Sequence, residues 1–417
     1  MAVPANILQQ VITYQRSALA FLQNMNCFVS TANTRFKDFE NMTANLGDTV
    51  SFDLPPRMTT TASLVAAFQP ADQRVQVLTC RNPVSVSYEF TAQQFIFNAE
   101  VYMERWGAAA TREIGATIEA DIAQVAVTGT YRFFGDGVNP INSFTQLAQG
   151  LALFRNFGSV LNQRAKGYLS DIAIPQIIGS GLNQFAPKRN DEIAMSWEVG
   201  EFDNCDWYRS NLLPIHIAGT EGQQGSVLTV VSFTTNGEQG AIDSITFSGT
   251  FAANDPNSVL QYDKFQFNDG VAGLPNLRFR TFVGHIVSAS PVQFAAIANA
   301  TSTGGNQVTV FVNPFLQSLP TNNQNLSSAI QVGMQVSVLP SHRAGLITSG
   351  DPLFIAMPQL PDQSPFYTGN EYDADTGVSI RMTYGAQFAQ NAMGMVHDAI
   401  WGKTLVPEYA ISVIFPL

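Results

Sequence analysis

Residues Ala92–Val127 read AQQFIFNAEVYMERWGAAATREIGATIEADIAQVAV. Ile114, Ile118, Ile122 and Val125 recur at i, i+4, i+8 and i+11, the spacing of one face of an α-helix. Arg112, Glu113, Glu119 and Asp121 fall mostly off that stripe, and Gly129 supplies a stop. At about 1.5 Å per residue the segment predicts a helix of roughly 50 Å, with a bend near Gly107. That is long for a compact enzyme domain and has the proportions of a strut.

Upstream, Ile7, Leu8, Val11, Ile12, Ala18, Leu19 and Leu22 predict an amphipathic helix from Asn6 to about Asn24, with Arg16 its only charge. From Gly47 to Phe90 the pattern changes to alternation. Val50, Phe52 and Leu54 precede Pro55-Pro56, and Val84, Val86, Tyr88 and Phe90 alternate again. A Thr- and Gln-rich connection, Met58 to Asp72, lies between them, which predicts an extended hairpin-like arm.

Downstream, helices are expected over Ser143–Phe157 and Ile174–Phe185, then an irregular aromatic segment, Trp197–Pro214. From about Gly222 to Val336 the signal is almost purely β. Val227–Phe233 and Ile242–Phe247 flank Asn236-Gly237, and further strands are expected at Lys264–Phe267, Phe279–Val287 and Val308–Val312. Many short strands at regular spacing argue for a small barrel or sandwich. The last stretch is mixed: strands at Leu353–Met357 and Val378–Tyr384 around a polar loop, Gln359–Thr376, then Met393–Trp401 and Ile411–Phe415.

A chain of 417 residues exceeds the size of one core, so two or three domains are expected. Hydrophobic residues make up 45% and charged residues 13%, the latter about half the usual share. A monomer of this size would normally cover itself with charge, whereas an obligate assembly need not. The net charge is −11, and Lys and Arg are scattered singly, so specific nucleic-acid readout is not expected. Cys27, Cys80 and Cys205 lie far apart, which argues against a disulfide framework or structural zinc and for a reducing compartment. The N-terminus lacks the order of a signal peptide, and no apolar run reaches membrane-span length.

Catalytic signatures are equally scarce. Gly402-Lys403-Thr404 ends like a phosphate loop, but the first glycine would fall at His397. Asp373, Asp375 and Gly377 mimic a calcium loop whose twelfth position is Tyr384 rather than glutamate. His216, His285, His342 and His397 show no metal spacing. Glu100 and Glu104 lie one turn apart on the strut, and Asp203 and Asp206, set among aromatics, form the one acidic pair that invites acid–base chemistry.

Taken in order, these parts resemble the major capsid (coat) proteins of tailed bacteriophages, and among them the short-tailed phage coat proteins that carry an inserted β-barrel domain. KFQFNDGV at Lys264–Val271 and the β run ending at Asn313-Pro314 are similar to the opening and closing of that insertion. MVHDAIWGKTLVPEYA, Met395–Ala410, resembles the family's last strand and its Pro-Glu-x-Ala ending.

The resemblance implies an α+β Hong Kong-97-type fold with axial and peripheral domains. Its expected parts are an N-terminal arm (1–46), an extended loop (47–91), a peripheral domain with the spine helix (92–134), an axial domain (135–221), the inserted barrel (222–337) and the axial return with closing peripheral strands (338–417). It implies a homo-oligomer of hexamers and pentamers in an icosahedral shell that encloses dsDNA without specific binding. Scaffolding, portal and decoration proteins would be its partners; no membrane, enzyme activity, cofactor, metal or catalytic residue is implied. Assembly would take place in the host cytoplasm and the protein would reside in the virion. Inter-subunit surfaces are expected at Arg57, Met58, Phe68, Arg74, Arg105, Arg112, Glu113, Trp207 and Tyr208.

Some coat proteins of this fold cross-link through a lysine on the extended loop. Gly47–Phe90 contains no lysine, so a shell of this chain is expected to be held non-covalently there. Two other readings compete: a secreted or surface-layer β-rich adhesin, and a carbohydrate-active enzyme with a β accessory domain, whose site would be the Asp203 region.

Overall fold

The computed structural model describes residues 27–33, 49–54, 56–60, 74–91, 106–158, 163–181, 200–236, 240–363, 366–373, 378–387 and 392–417. The expected N-terminal helix (Asn6–Asn24), residues 92–105 of the expected strut and the calcium-like turn after Asp373 lie outside them. The chain divides into two compact units. One comprises Met1–Phe52, Gln76–Ala123 and Leu353–Thr404; the other comprises Asp53–Val75, Gln124–Pro352 and Leu405–Leu417.

In the first unit, the described part of the strut is the helix Ala108–Ala123, preceded by a π-type turn at Trp106-Gly107. Ile114, Ile118 and Ile122 are fully or almost fully buried, as their spacing predicts, while Arg112 and Glu113 face solvent. Helical hydrogen bonding does not run through to Thr128 as one rod. Gln124 is a turn whose carbonyl accepts from both Val127 N and Thr128 N, and a short helix, Val125–Thr128, follows.

Glu119 lies on the same helix but is buried. Its carboxylate accepts from Phe28 N at 2.9 Å and Val29 N at 3.4 Å, satisfying free amides at the start of the helix Cys27–Thr31. Asp121 is a second hub. Its carboxylate accepts from the Trp401 indole at 2.8 Å and pairs with Arg81 at 3.1 Å and Lys403 at 3.0 Å. Burial pushes its carboxyl up, but the Trp401 and Lys403 hydrogen bonds outweigh this and hold it below the usual range.

Two four-stranded sheets complete this unit. One runs in the order Thr49–Leu54, Arg74–Cys80, Gly402–Leu405, Leu353–Ala356. The other is an antiparallel meander of Tyr367–Asp373, Val378–Gln387 and Ala392–Ala399, closed on its far side by Val84–Thr91. Phe90, Met382 and Met395 pack on one face of the meander, and Arg381 and Asp398, direct cross-strand neighbours on the other, form a buried pair at 2.7 Å. Three strands of these sheets were not expected from the sequence, Gly402–Leu405 among them. Arg74–Cys80 follows the polar connection, and Tyr367–Asp373 (YTGNEYD) falls inside the expected loop Gln359–Thr376; its polar composition hides an edge strand.

The second unit contains a mixed seven-stranded sheet and a barrel. The sheet runs Phe133–Phe134, Ala410–Pro416, His342–Ser349, Ala165–Ser170, Cys205–Ser210, Glu201–Phe202, with Ile215–His216 also pairing with His342–Ser349. Helices Phe144–Arg155 and Ala173–Gly181 cover it through Phe144, Leu147, Leu151, Ile174 and Ile177. Ser143 caps the first of them, accepting from Gln146 N. The expected irregular segment Trp197–Pro214 is thus largely strand in its described part. Asp203, Asp206 and Arg209 obscure the apolar alternation of Cys205 and Trp207, and ion pairs to Arg155, Arg164 and Asp171 accommodate their charge.

Six antiparallel strands close the barrel in the order Val227–Thr235, Ile242–Ser248, Gln307–Leu316, Gln293–Ala296, Lys264–Phe267, Gln335–Val338. Val308, Val310 and Val312 point inward while Thr309, Phe311 and Asn313 point outward. Phe247, Phe265 and Phe294 stack inside with nearly parallel rings, 4.9 Å between the centroids of Phe265 and Phe294. The expected strand Phe279–Val287 is instead a separate hairpin of Arg278–Arg280 and Val287–Pro291, and Gln293–Ala296, not expected as a strand, takes the barrel position.

Candidate functional site

The surfaces expected to join subunits divide into those the fold exposes and those it withdraws. Met58 is 59% exposed, and Arg112 and Glu113 project from the outer side of Ala108–Ala123. Phe68 and Arg105 lie outside the described residues, and Arg74 opens the strand Arg74–Cys80. Arg57 turns inward. Its side chain is 10% exposed, stacks over Phe282 at 4.5 Å and pairs with Glu408 at 3.5 Å.

Trp207 corrects the expectation most clearly. It is buried in the core of the seven-stranded sheet, not displayed on a surface. Gly167 is its direct partner on the parallel neighbouring strand, and a Cβ there would overlap the indole. The glycine makes the space that holds the tryptophan inside. Tyr208, on the opposite side of the strand, is half-buried and stacks on Tyr168 with ring centroids 5.6 Å apart.

The acidic pair also resolves. Asp203 accepts from Arg155 at 3.1 Å, and Asp206 takes a two-pronged contact from Arg164 at 2.5 and 2.6 Å. Each carboxylate is engaged by its own arginine, so the geometry is that of two separate ion pairs flanking a strand. Gly402-Lys403-Thr404 is a strand, not a phosphate loop, and its lysine reaches Asp121. Among the described residues no three His, Cys, Asp or Glu side chains are grouped to hold a metal. Burial pushes the Cys205 thiol far up, which leaves it a core residue rather than a nucleophile. No helix among the described residues is long and apolar enough to cross a membrane.

What sequence reading missed is a buried polar seam inside the second unit, where the barrel meets the sheet. Four ionisable groups meet there, drawn from positions far apart in the chain. His216 and His342 are direct partners on adjacent strands, ring centroids 5.4 Å apart. His216 Nε2 donates to Asp263 Oδ1 at 2.8 Å, and Asp263, wholly buried, also accepts from Gly219 N at 3.1 Å and Leu260 N at 2.8 Å.

Lys264 opens the barrel strand Lys264–Phe267 and is wholly buried. Its Nζ donates to Thr130 Oγ1 at 2.9 Å and to the Ala126 carbonyl at 3.4 Å. With no carboxylate among those contacts, burial pushes the ammonium down to about 7. His342 donates from Nδ1 to the Pro340 carbonyl at 2.8 Å. Its Nε2 has no hydrogen-bond partner among the described residues. Burial, and secondarily Lys264, pushes it down to about 3.

A second join lies beside it. The Gln293 amide spans barrel and sheet by donating to the Phe133 carbonyl at 2.9 Å and accepting from Phe133 N at 2.9 Å. Nearby, Arg132 is wholly buried over the Phe157 ring at 3.9 Å, and burial lowers it to about 10.

No family model matches the sequence, and no curated protein matches it. Among solved structures the chain is similar to one from Mycobacterium phage Che8, at 8% identity and a TM-score of 0.47, covering 93% of this chain and 91% of that one. It is also similar to the capsid of cyanophage P-SCSP1u (12% identity, TM-score 0.41, 92% and 88% covered) and to the cyanophage Pam1 capsid asymmetric unit (9%, 0.42, 91% and 87%).

Proposed function

We propose that this chain is the major capsid subunit of a tailed bacteriophage, assembling non-covalently into an icosahedral shell. The observation that carries the reading is the order of parts. In chain order, the strands Thr49–Leu54, Arg74–Cys80 and Val84–Thr91 come before the helix Ala108–Ala123, followed by a mixed sheet, a closed barrel between two paired strands of that sheet, and a return through both units. Low charge supports it, since 13% charged residues suits a surface covered by copies of itself. Hexamers and pentamers of the chain, built with scaffolding and portal proteins, would enclose the dsDNA, with a decoration protein outside.

In this reading residues 47–91 form the extended loop, the helix is the spine of a peripheral domain, the seven-stranded sheet belongs to an axial domain and the barrel is its insertion. Met58, Arg112 and Glu113 are the expected residues that face outward to meet a neighbour. Arg57 serves instead to fasten the root of the loop to its own subunit. The loop contains no lysine, so its contacts rest on buried area and strand pairing.

Co-expression with a scaffolding protein, followed by sedimentation and negative-stain microscopy, tests the reading. Shells tens of nanometres across are expected, and a monomer under every condition would overturn it. Deleting Thr59–Asp72 tests the loop: a soluble, folded subunit that fails to close shells is expected, whereas normal particles would refute the assignment.

A further inference from the structure

The polar seam has a chemistry that the shell reading does not use. Every titratable group facing it among the described residues can be named. The sheet contributes His216 and His342; Arg343, next along its strand, alternates to the other side. The barrel contributes Asp263 and Lys264. The short helix Thr220–Gln224 brings Glu221, whose carboxyl is pushed up by burial, with Asp255 near it. The end of Val125–Thr128 supplies only the Ala126 carbonyl and the Thr130 hydroxyl.

Three features make this arrangement one-directional. Asp263 is the anion among the four groups at the seam's centre, and its oxygens are already engaged by His216, Gly219 N and Leu260 N. His342 is fixed as the Nδ1–H tautomer by Pro340, so an added proton must go to Nε2, a buried position with no acceptor among the described residues. The neighbouring charge is the buried Lys264 ammonium. Acid therefore adds cations to a closed site whose counter-charge is spent.

We propose that this seam is an acid-release latch: protonation of His342 separates the strands Ile215–His216 and His342–Ser349 from the barrel strand Lys264–Phe267, while barrel and sheet each stay folded. Exposure to water removes the obstacle, because the His342 imidazole then titrates at its ordinary value. A neutral imidazole favoured in the closed form means that the open form binds more protons as pH falls, so acid drives opening. With His342 at about 3 when closed and 6.5 when open, this residue alone raises the opening equilibrium about thirtyfold at pH 5 over its value at pH 8, and Lys264, at about 7 when closed, adds to the rise between pH 8 and 6. The latch is a property of the single chain and does not depend on shell formation.

Hydrogen–deuterium exchange of the intact chain from pH 8 to pH 4, corrected for intrinsic rates, reads this directly. Peptides covering 212–219, 259–268 and 338–346 are expected to lose protection as pH falls, by about thirtyfold or more at pH 5, before the barrel strands Val227–Thr235 and Gln307–Leu316 do. His342→Asn keeps a donor for the Pro340 carbonyl and removes that proton site, so its seam should be flat from pH 6 to 4, where Lys264 is protonated in both forms, while the wild-type seam goes on opening. Wild-type seam peptides equally protected from pH 8 to 4, or a variant with the wild-type profile, would overturn the proposal. If the variant does not fold, side-chain NMR of the wild type decides. A His342 ring that stays neutral at pH 5 in the closed form supports the latch; one that titrates near 6.5 without seam exchange overturns it.

Discussion

Replacing Lys264 with methionine tests whether the first residue of the barrel strand Lys264–Phe267 is held at an electrostatic cost. Lys264 is wholly buried and its ammonium is lowered from 10.5 to about 7. Between those values the unfolded chain binds the proton and the folded chain does not, so stability rises with pH from about 7 to 10.5. Below 7 the penalty is present in full. A gap of 3.5, at about 1.4 kcal/mol for each tenfold step, amounts to roughly 5 kcal/mol.

Methionine fills a similar volume without the charge but gives up the donations to Thr130 and the Ala126 carbonyl, worth about 1–3 kcal/mol together. Lys264→Met is therefore expected to stabilise the second unit by ~2–4 kcal/mol at pH 6. The advantage should shrink above pH 7 and reverse to a loss of about 1–3 kcal/mol above pH 10.5. Amide exchange of the barrel-strand peptides at graded guanidinium concentrations, at pH 6, 8 and 10.5, measures it. A difference between variant and wild type that stays constant across this range would refute the burial argument, whatever its sign.

Further expectations follow from the packing. Gly167→Ala drives a methyl into the Trp207 ring and should cost about 2–3 kcal/mol in thermal or chemical unfolding of the second unit; a neutral result would mean the indole has room to move. Phe294→Ala opens a cavity in the barrel's aromatic stack, with an expected loss of about 3–5 kcal/mol and a lowered melting temperature. Asp121→Asn keeps an acceptor for Trp401 but discharges the contacts to Arg81 and Lys403, for a loss of about 1–3 kcal/mol at pH 7. Because the folded Asp121 carboxyl lies below 3.8, that loss should fade as pH drops through the carboxyl's folded value, as amide exchange in 108–123 can report. Cys205 should resist thiol reagents in the native chain, and modification within seconds would contradict its burial.

The parts most legible in the sequence were those where one face is buried and the other wet. Ile114, Ile118 and Ile122 mark the buried face of a helix, and Val308, Val310 and Val312 mark a barrel strand, because a single periodicity separates inside from outside. Strands whose polar side chains are satisfied by partners far away were hidden. Arg209 pairs with Asp171 and Asp206 with Arg164, so Cys205–Ser210 looks irregular until those partners are placed. Trp207 was misjudged for the same reason: the space it fills depends on Gly167, forty residues earlier.

The polar seam was invisible for a further reason. His216, Asp263, Lys264 and His342 share no motif and meet only once two different strand systems have closed. A lone histidine in a sequence carries no sign of the lysine that will face it. The nearest local hint was Asp263-Lys264 at the head of an apolar strand, a position that surface alternation alone does not explain.

The pairing of His216 with His342 has a consequence for how this polypeptide can change. The two residues sit opposite each other in adjacent antiparallel strands, about 5 Å apart between Cα atoms, and the whole barrel hangs between them. To the sheet, residues 217–341 are one loop whose ends are already joined. Such a segment can be exchanged, enlarged or cut back to a short turn without moving either strand. Besides the side chains that lose their lid, Phe133 would lose the Gln293 amide paired with its backbone, and Arg57 the Phe282 ring beneath it. With Asp263 and Lys264 gone, two facing imidazoles would open to water, so a graft at this point splits the seam, leaving the histidines on the sheet and taking the aspartate and lysine with the barrel.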